Sequence, residues 1–101
     1  MKKKITGGKR RRGIFKNNKK NEPLISVITV VLNNQEYLTK SINSVLKQSY
    51  KNFELIIIDG GSTDGTLEIL RKNNNKIDFW ISEKDKGLYD AMNKGIRLSR
   101  G

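Results

Sequence analysis

The chain has 101 residues, 21 Lys and Arg against 10 Asp and Glu, and a formal charge of +11. It contains neither Cys nor His, which excludes a disulfide framework, a thiolate nucleophile, a Cys- or His-ligated zinc site and a histidine general base. Any metal would have to be a hard ion held by oxygen, such as Mg²⁺ or Mn²⁺. The charge is unevenly distributed. Residues 1–21 hold ten cations (Lys2, Lys3, Lys4, Lys9 to Arg12, Lys16, Lys19 and Lys20) and no acid, whereas residues 22–101 hold eleven cations and ten acids. A nearly neutral domain therefore follows a basic segment. The longest apolar run, Leu55 to Ile58, is far short of the ~20 residues of a membrane span. The basic start lacks the apolar stretch of a secretory signal. These features point to a cytoplasmic protein.

Beyond Met1, residues 1–22 carry only Ile5, Ile14 and Phe15 as large apolar residues. Such a composition predicts a disordered extension, because little surface is available to offset the entropy of ordering. Pro23 precedes a clear strand, so the domain is expected to span residues 23–101. Three readings of the basic segment stand side by side: a solvated extension, a contact with an anionic membrane surface through residues 2–20, and a contact with nucleic acid. The second would place the protein peripherally at the inner face of the membrane. The third is the weakest, since Phe15 is the only interleaved aromatic and no stacking platform for bases is present.

Leu24 to Val31 is β-branched and almost continuously apolar, the pattern of a strand covered on both faces. Asn33 and Glu36 stand three apart and suggest a capping box. Leu38, Ile42, Val45, Leu46 and Ser49 then follow a helical stripe, which predicts a helix from about Gln35 to Gln48. Phe53 to Ile58 reads as a second buried strand, and Asp59 to Gly65 as a tight turn. Thr66 to Lys72 makes a short helix ended by Asn73 to Asn75. Ile77 to Ile81 is a third strand. Asp85 suits a cap for a last helix, in which Leu88, Met92 and Ile96 recur at every fourth position.

The order is βαβαβα, which predicts an α/β fold with an open, mostly parallel, Rossmann-like sheet of three strands and right-handed crossovers. Ligands of such sheets bind beyond the carboxyl ends of the strands. Three polar clusters should meet there: Asn33, Asn34 and Glu36; Asp59, Ser62 and Asp64; Glu83, Asp85 and Lys86. The first loop has no glycine, so it is neither a dinucleotide-binding turn nor a phosphate-cradling P-loop. Asp59-Gly60-Gly61 is acidic and better suited to a ribose hydroxyl, a base N–H or a hydrated cation than to phosphate. On spacing alone, Asp59 as a turn former and Asp64 as a helix N-terminal acid are the favoured readings, with ligand contact left open.

Ile25 to Asn34, Ser44-Val-Leu-Lys-Gln-Ser49 and Glu54-Leu-Ile-Ile-Ile-Asp-Gly-Gly-Ser-Thr-Asp-Gly-Thr66 together resemble the N-terminal half of family 2 glycosyltransferases. These are nucleotide-sugar-dependent enzymes of the GT-A fold. Ser82 to Gly95 resembles the stretch before that family's metal-binding motif. The resemblance covers about residues 24–101. It implies that the backbone around Thr29 to Val31 and the side chain of Asp59 hold a uracil-type base and ribose, with Asp64 supporting the loop. It also brings Lys86 towards the donor and turns Asp90 and Asn93 to the nucleotide side. Together with the loop residues Asn33, Glu36 and Ser62, these form the expected donor site.

The sequence departs from the family pattern at its end. The Asp-x-Asp motif, whose carboxylates would hold Mg²⁺ or Mn²⁺ on the diphosphate, is expected beyond Gly101, as are the catalytic base and the acceptor region. No catalytic residue is assigned within the chain, and the metal's ligands are expected outside it. The implied activity is sugar transfer from a UDP-type donor to a glycan or lipid-linked acceptor in surface polysaccharide synthesis, with these 101 residues a truncated, inactive GT-A part. Transfer needs neutralisation of the leaving diphosphate and deprotonation of the acceptor hydroxyl. The alternative is a non-catalytic binding module whose basic segment contacts anionic membrane or nucleic acid. A receiver-like domain is disfavoured, because Leu32-Asn33-Asn34 supplies no acid after the first strand.

Overall fold

The protein is described from a computed structural model that covers residues 4–84 and 88–100. Strand β1 (Ile5–Gly7) leads into a 3-10 turn (Lys9–Arg12), followed by β2 (Ile25–Val31), α1 (Gln35–Leu46), β3 (Phe53–Asp59), α2 (Thr66–Lys72), β4 (Phe79–Ser82) and α3 (Leu88–Leu98). The sheet order is β1-β4-β3-β2. β2, β3 and β4 are parallel, and β1 runs antiparallel on the outer side of β4, pairing Ile5 with Ser82 and Gly7 with Trp80. The fold is the open, mostly parallel α/β sheet expected from the strand–helix rhythm, with one additional strand.

β3 explains the layering. All seven of its residues are buried, and their side chains alternate between the two faces. Leu55 and Ile57 pack with Leu38, Ile42, Leu70, Ile77 and Trp80 under α1 and α2. Ile56 and Ile58 pack with Ala91 of α3 on the opposite face. α3 lies so close to β2 that a β-carbon on Gly95 would stand 2.3 Å from Cγ2 of Ile28. Glycine is what permits that approach.

The expectation of a disordered segment over residues 1–22 requires correction for residues 4–22. The segment forms β1 and then a strap that crosses the amino end of the parallel strands. The N–H groups of Lys9 and Arg10 donate to the carbonyls of Ile77 and Asp78 at 2.9 Å each. Lys16 donates to the Phe53 carbonyl (2.7 Å) and pairs with Asp78 (3.2 Å), and Asn18 accepts from the Leu24 N–H (2.7 Å). The physical reason is that two acids, Glu54 of β3 and Asp78 just before β4, are buried and need cations beside them. The composition of the segment is poor in apolar surface, but its charges have partners inside the fold.

Glu54 is the clearest case. Arg10 forms an ion pair with it, and the Ser26 hydroxyl (2.6 Å) and the Arg100 N–H also donate to it. Burial pushes the Glu54 carboxyl up, but the Ser26, Arg100 and Arg10 donors outweigh it and hold it below the usual range. Arg10 also donates to the Leu98 carbonyl (2.8 Å) at the last turn of α3. Strap, β3 and α3 are thus joined through one guanidinium.

Removing one partner of a buried pair leaves an uncompensated charge, so Arg10→Ala is expected to lower stability by about 3–5 kcal/mol in urea titrations followed by circular dichroism. Because the folded-state pKa of Glu54 is depressed, the stabilisation it supplies is present above the ordinary glutamate range. It is lost as pH falls through the lower folded value. In Glu54→Gln the acid-side loss of stability should be shallower than in the parent chain; equal slopes would contradict the ion pair.

Candidate functional site

Three loops follow the carboxyl ends of β2, β3 and β4, and the sheet register brings them together. Val31 pairs with Asp59, and Asp59 pairs with Ser82. Asp59, the last residue of β3, is fully buried. One carboxylate oxygen accepts from the Ser62 hydroxyl, and the other accepts from the Ser62 N–H (3.1 Å) and the Ser82 hydroxyl (2.7 Å). The Gly60 N–H donates to the Val31 carbonyl (3.0 Å), and the Glu83 N–H to the Asp59 carbonyl (3.1 Å). One side chain and its peptide neighbours therefore hold all three strand ends.

Asn33 ties the first loop to the second from the outside. It adopts a left-handed conformation, φ 47°, which asparagine tolerates better than most residues. Its N–H donates to the Ser62 hydroxyl (2.7 Å), and its side-chain oxygen accepts from the N–H groups of Thr63 (2.7 Å) and Asp64 (3.3 Å). The capping role expected of Asn33 and Glu36 falls instead to Asn34, whose side chain accepts from the Tyr37 N–H (3.0 Å). The left-handed turn at Asn33 points that side chain across to the next loop, away from its own helix.

Asp64 accepts from the Thr66 hydroxyl (2.5 Å) and the Thr66 N–H (2.9 Å) at the start of α2. The Thr66 hydroxyl is the main reason its carboxyl lies below the usual range, with Gln35 adding a further donor. Gly61 takes φ +89°, and a β-carbon there would sit 3.1 Å from Cα of Lys84. The loop after β3 is thus pressed against the strand-end backbone beyond β4.

The other expected site residues separate into groups. Val31 is buried, and its carbonyl serves the loop after β3. Thr29 is also buried and lines an open groove of about 340 Å³ along the free edge of β2, with Tyr37, Lys40, Ser41, Ser44 and Val45 of α1. Glu36 is not brought to the cluster, being exposed and paired with Lys40 one turn on (3.0 Å). Asp90 lies in the first turn of α3, and Asn93 follows one turn later, half-buried. Lys86 and Asp85 lie outside the described residues.

Two participants were not singled out from the sequence. Ser82 holds Asp59 from β4, and its position at a strand end in register with the acid is its only sequence-level signal. Lys94 pairs with Glu83 (2.7 Å) and fastens α3 to the end of β4. Its signal is the helix spacing that brings it back towards the strand end.

As an assembly, this edge presents loop backbone and short polar side chains around a buried carboxylate, a surface suited to the hydroxyls and N–H groups of a nucleoside. Among the described residues no group of three or more His, Cys, Asp or Glu could hold a metal ion, and Asp59 and Asp64 accept from protein donors. No helix among the described residues is long and apolar enough to cross a membrane.

The comparison with known proteins decides what this edge belongs to. Residues 26–101 match Glycosyl transferase family 2. The chain belongs to that family. It is 39% identical to an uncharacterized glycosyltransferase of Haemophilus influenzae over 84 residues, which cover 80% of this chain and 34% of the relative. It is 39% identical to the chondroitin synthase of Escherichia coli over 85 residues, covering 81% of this chain and 12% of that protein. A PGL/p-HBAD biosynthesis glycosyltransferase of Mycobacterium bovis is 38% identical over 82 residues, covering 78% of this chain and 32% of the relative. The chain thus spans about a third of the length of the first and third relatives and about an eighth of the second. Its sheet and three helices correspond to part of a Rossmann-like GT-A domain.

The Asn33 bridge is testable. Asn33→Ala loses the acceptor for two loop N–H groups and leaves a β-carbon at positive φ. It should cost about 1–3 kcal/mol in urea titrations. Asn33→Gly should recover the backbone share and remain less stable than the parent; a neutral effect of both would contradict the bridge.

Proposed function

We propose that the described carboxyl edge is the nucleoside-binding part of a sugar-donor site, and that the protein to which it belongs transfers a sugar from a UDP-type donor to a glycan or lipid-linked acceptor in surface polysaccharide synthesis. The observation that carries this reading is the enclosed Asp59, which draws three loops to one edge of a sheet of glycosyl transferase family 2. The backbone of Thr29 to Val31 and the loop from Asp59 to Asp64 form the base and ribose contacts, with Asn33 and Ser62 fixing their spacing. The family resemblance assigns Lys86, Asp90 and Asn93 to the donor side as well, Lys86 lying outside the described residues. Relatives named for chondroitin and for PGL/p-HBAD synthesis support the class of product.

The division of labour follows from the chemistry. These loops bind and orient the nucleoside, which places the anomeric carbon relative to an acceptor and converts part of the entropic cost of the reaction into binding. The mostly neutral hydrogen-bonding character of the edge suits the uridine half better than the diphosphate. A divalent metal on the diphosphate, as the family resemblance implies, finds no ligand set among the described residues, so no step is assigned to one here.

Isothermal titration of the chain with UDP should show binding with a dissociation constant on the order of 1 mM. Ser62→Ala, which removes a hydroxyl bound to Asp59 and to the Asn33 N–H, should weaken it about tenfold while leaving the fold intact. Binding unchanged in Ser62→Ala, or no saturable binding of UDP by a chain that melts cooperatively, would overturn the assignment.

A further inference from the structure

The carboxyl edge accounts for one end of the sheet. The opposite, amino end is built from the strap, the turn between α1 and β3, the turn between α2 and β4, and the end of α3. Its charge is one-sided. Arg11, Arg12, Lys19, Lys20, Lys51 and Lys76 are all exposed there. The acids that could offset them, Glu54 and Asp78, are buried and matched by Arg10 and Lys16. Glu22 is the exposed acid of the strap.

Within this basic face the strap turns outward at Gly13, in the left-handed region at φ 80°, and presents Ile14 and Phe15 side by side. Each is 48% exposed. Phe15 is held in place from below, with the guanidinium of Arg10 5.8 Å and that of Arg100 5.1 Å from its ring centre. Phe15 is thus held at the surface by the same network that locks the strap to β3, with Ile14 exposed next to it in the chain. That arrangement costs apolar exposure in water and is explained by a partner with an apolar layer beneath an anionic one.

We propose that the amino end of the sheet is a docking surface for an anionic lipid bilayer, with Ile14 and Phe15 entering the headgroup boundary and the surrounding Arg and Lys side chains resting on the lipid charges. Basic residues and exposed apolar side chains on one face are the two attractions that interfacial binding combines. Nucleic acid fits less well, because the Phe15 ring already carries guanidinium groups and no second exposed aromatic lies beside it in the strap. The geometry adds a functional consequence. Docking at the amino end leaves the carboxyl edge facing away from the membrane, open to a soluble nucleotide. The proposal stands independently of the donor reading.

Co-sedimentation of the whole chain with vesicles tests it. The chain should bind vesicles of phosphatidylcholine mixed with phosphatidylglycerol, should not bind phosphatidylcholine alone, and should be released by high salt. Arg12→Glu should weaken partition at least about fivefold. Lys40→Glu, the same charge change on α1 and away from this face, should alter it less than about twofold. Ile14→Ser should also weaken partition about fivefold, with thermal melts confirming that all variants fold. Equal effects of Arg12→Glu and Lys40→Glu would show net charge acting alone and overturn the proposal, as would indifference to Ile14→Ser. Binding of a single-stranded oligothymidylate more tightly than mixed vesicles would overturn it in favour of nucleic acid.

Discussion

A strand buried along its whole length, with a carboxylate near each end, is the constraint on which the rest of the structure depends. Phe53 to Asp59 is buried at every position, yet it contains Glu54 and Asp59. A buried carboxylate without partners costs several kcal/mol, so each end must gather donors from other segments. Glu54 recruits Arg10 from the strap, Ser26 from β2 and the Arg100 N–H from beyond α3. Asp59 recruits Ser62 from its own loop and Ser82 from β4. The same physical demand produces a structural lock at the amino end and a shaped loop edge at the carboxyl end.

The two ends then differ in what remains exposed. At the amino end the acids are consumed internally and cations are left outside. At the carboxyl end the loops leave short polar side chains and backbone groups, with Asp64 and Lys84 exposed. The result is a domain polarised along its strands, which the net charge of the whole chain conceals. α3 couples the ends. Its last turn is held by Arg10 at the Leu98 carbonyl, and its middle is held by the Glu83–Lys94 pair. In this chain α3 is thereby fastened at both ends of the sheet.

Much of this was legible in the sequence, and the reasons differ by residue. β2, α1, β3 and α2 follow apolar periodicities that packing reinforces, so Ile25 to Val31 and Thr66 to Lys72 lie where the pattern places them. The convergence of Asn33, Asp59 and Ser62 follows from the topology of a parallel sheet. The strap was not legible, because its residues are ordered by ion pairs with Glu54 and Asp78 that stand some 44 and 62 residues away. Composition reports apolar surface and says nothing of such partners. Asn33 and Asn34 could not be told apart as caps either, since the choice depends on a backbone turn at Asn33 that the neighbouring loop stabilises. Glu36 was drawn into the site by proximity in sequence, whereas the helix turns it outward to Lys40.

The central claim is that the carboxyl edge organised by Asp59 receives a nucleoside while the amino end serves as a rigid base. Amide hydrogen exchange on the whole chain, with and without saturating UDP, tests this most directly. The account predicts added protection in residues 32–36 and 59–65, with residues 47–52 and 73–78 unchanged. Protection confined to the amino-end turns, or none at either end in the presence of bound UDP, would contradict it.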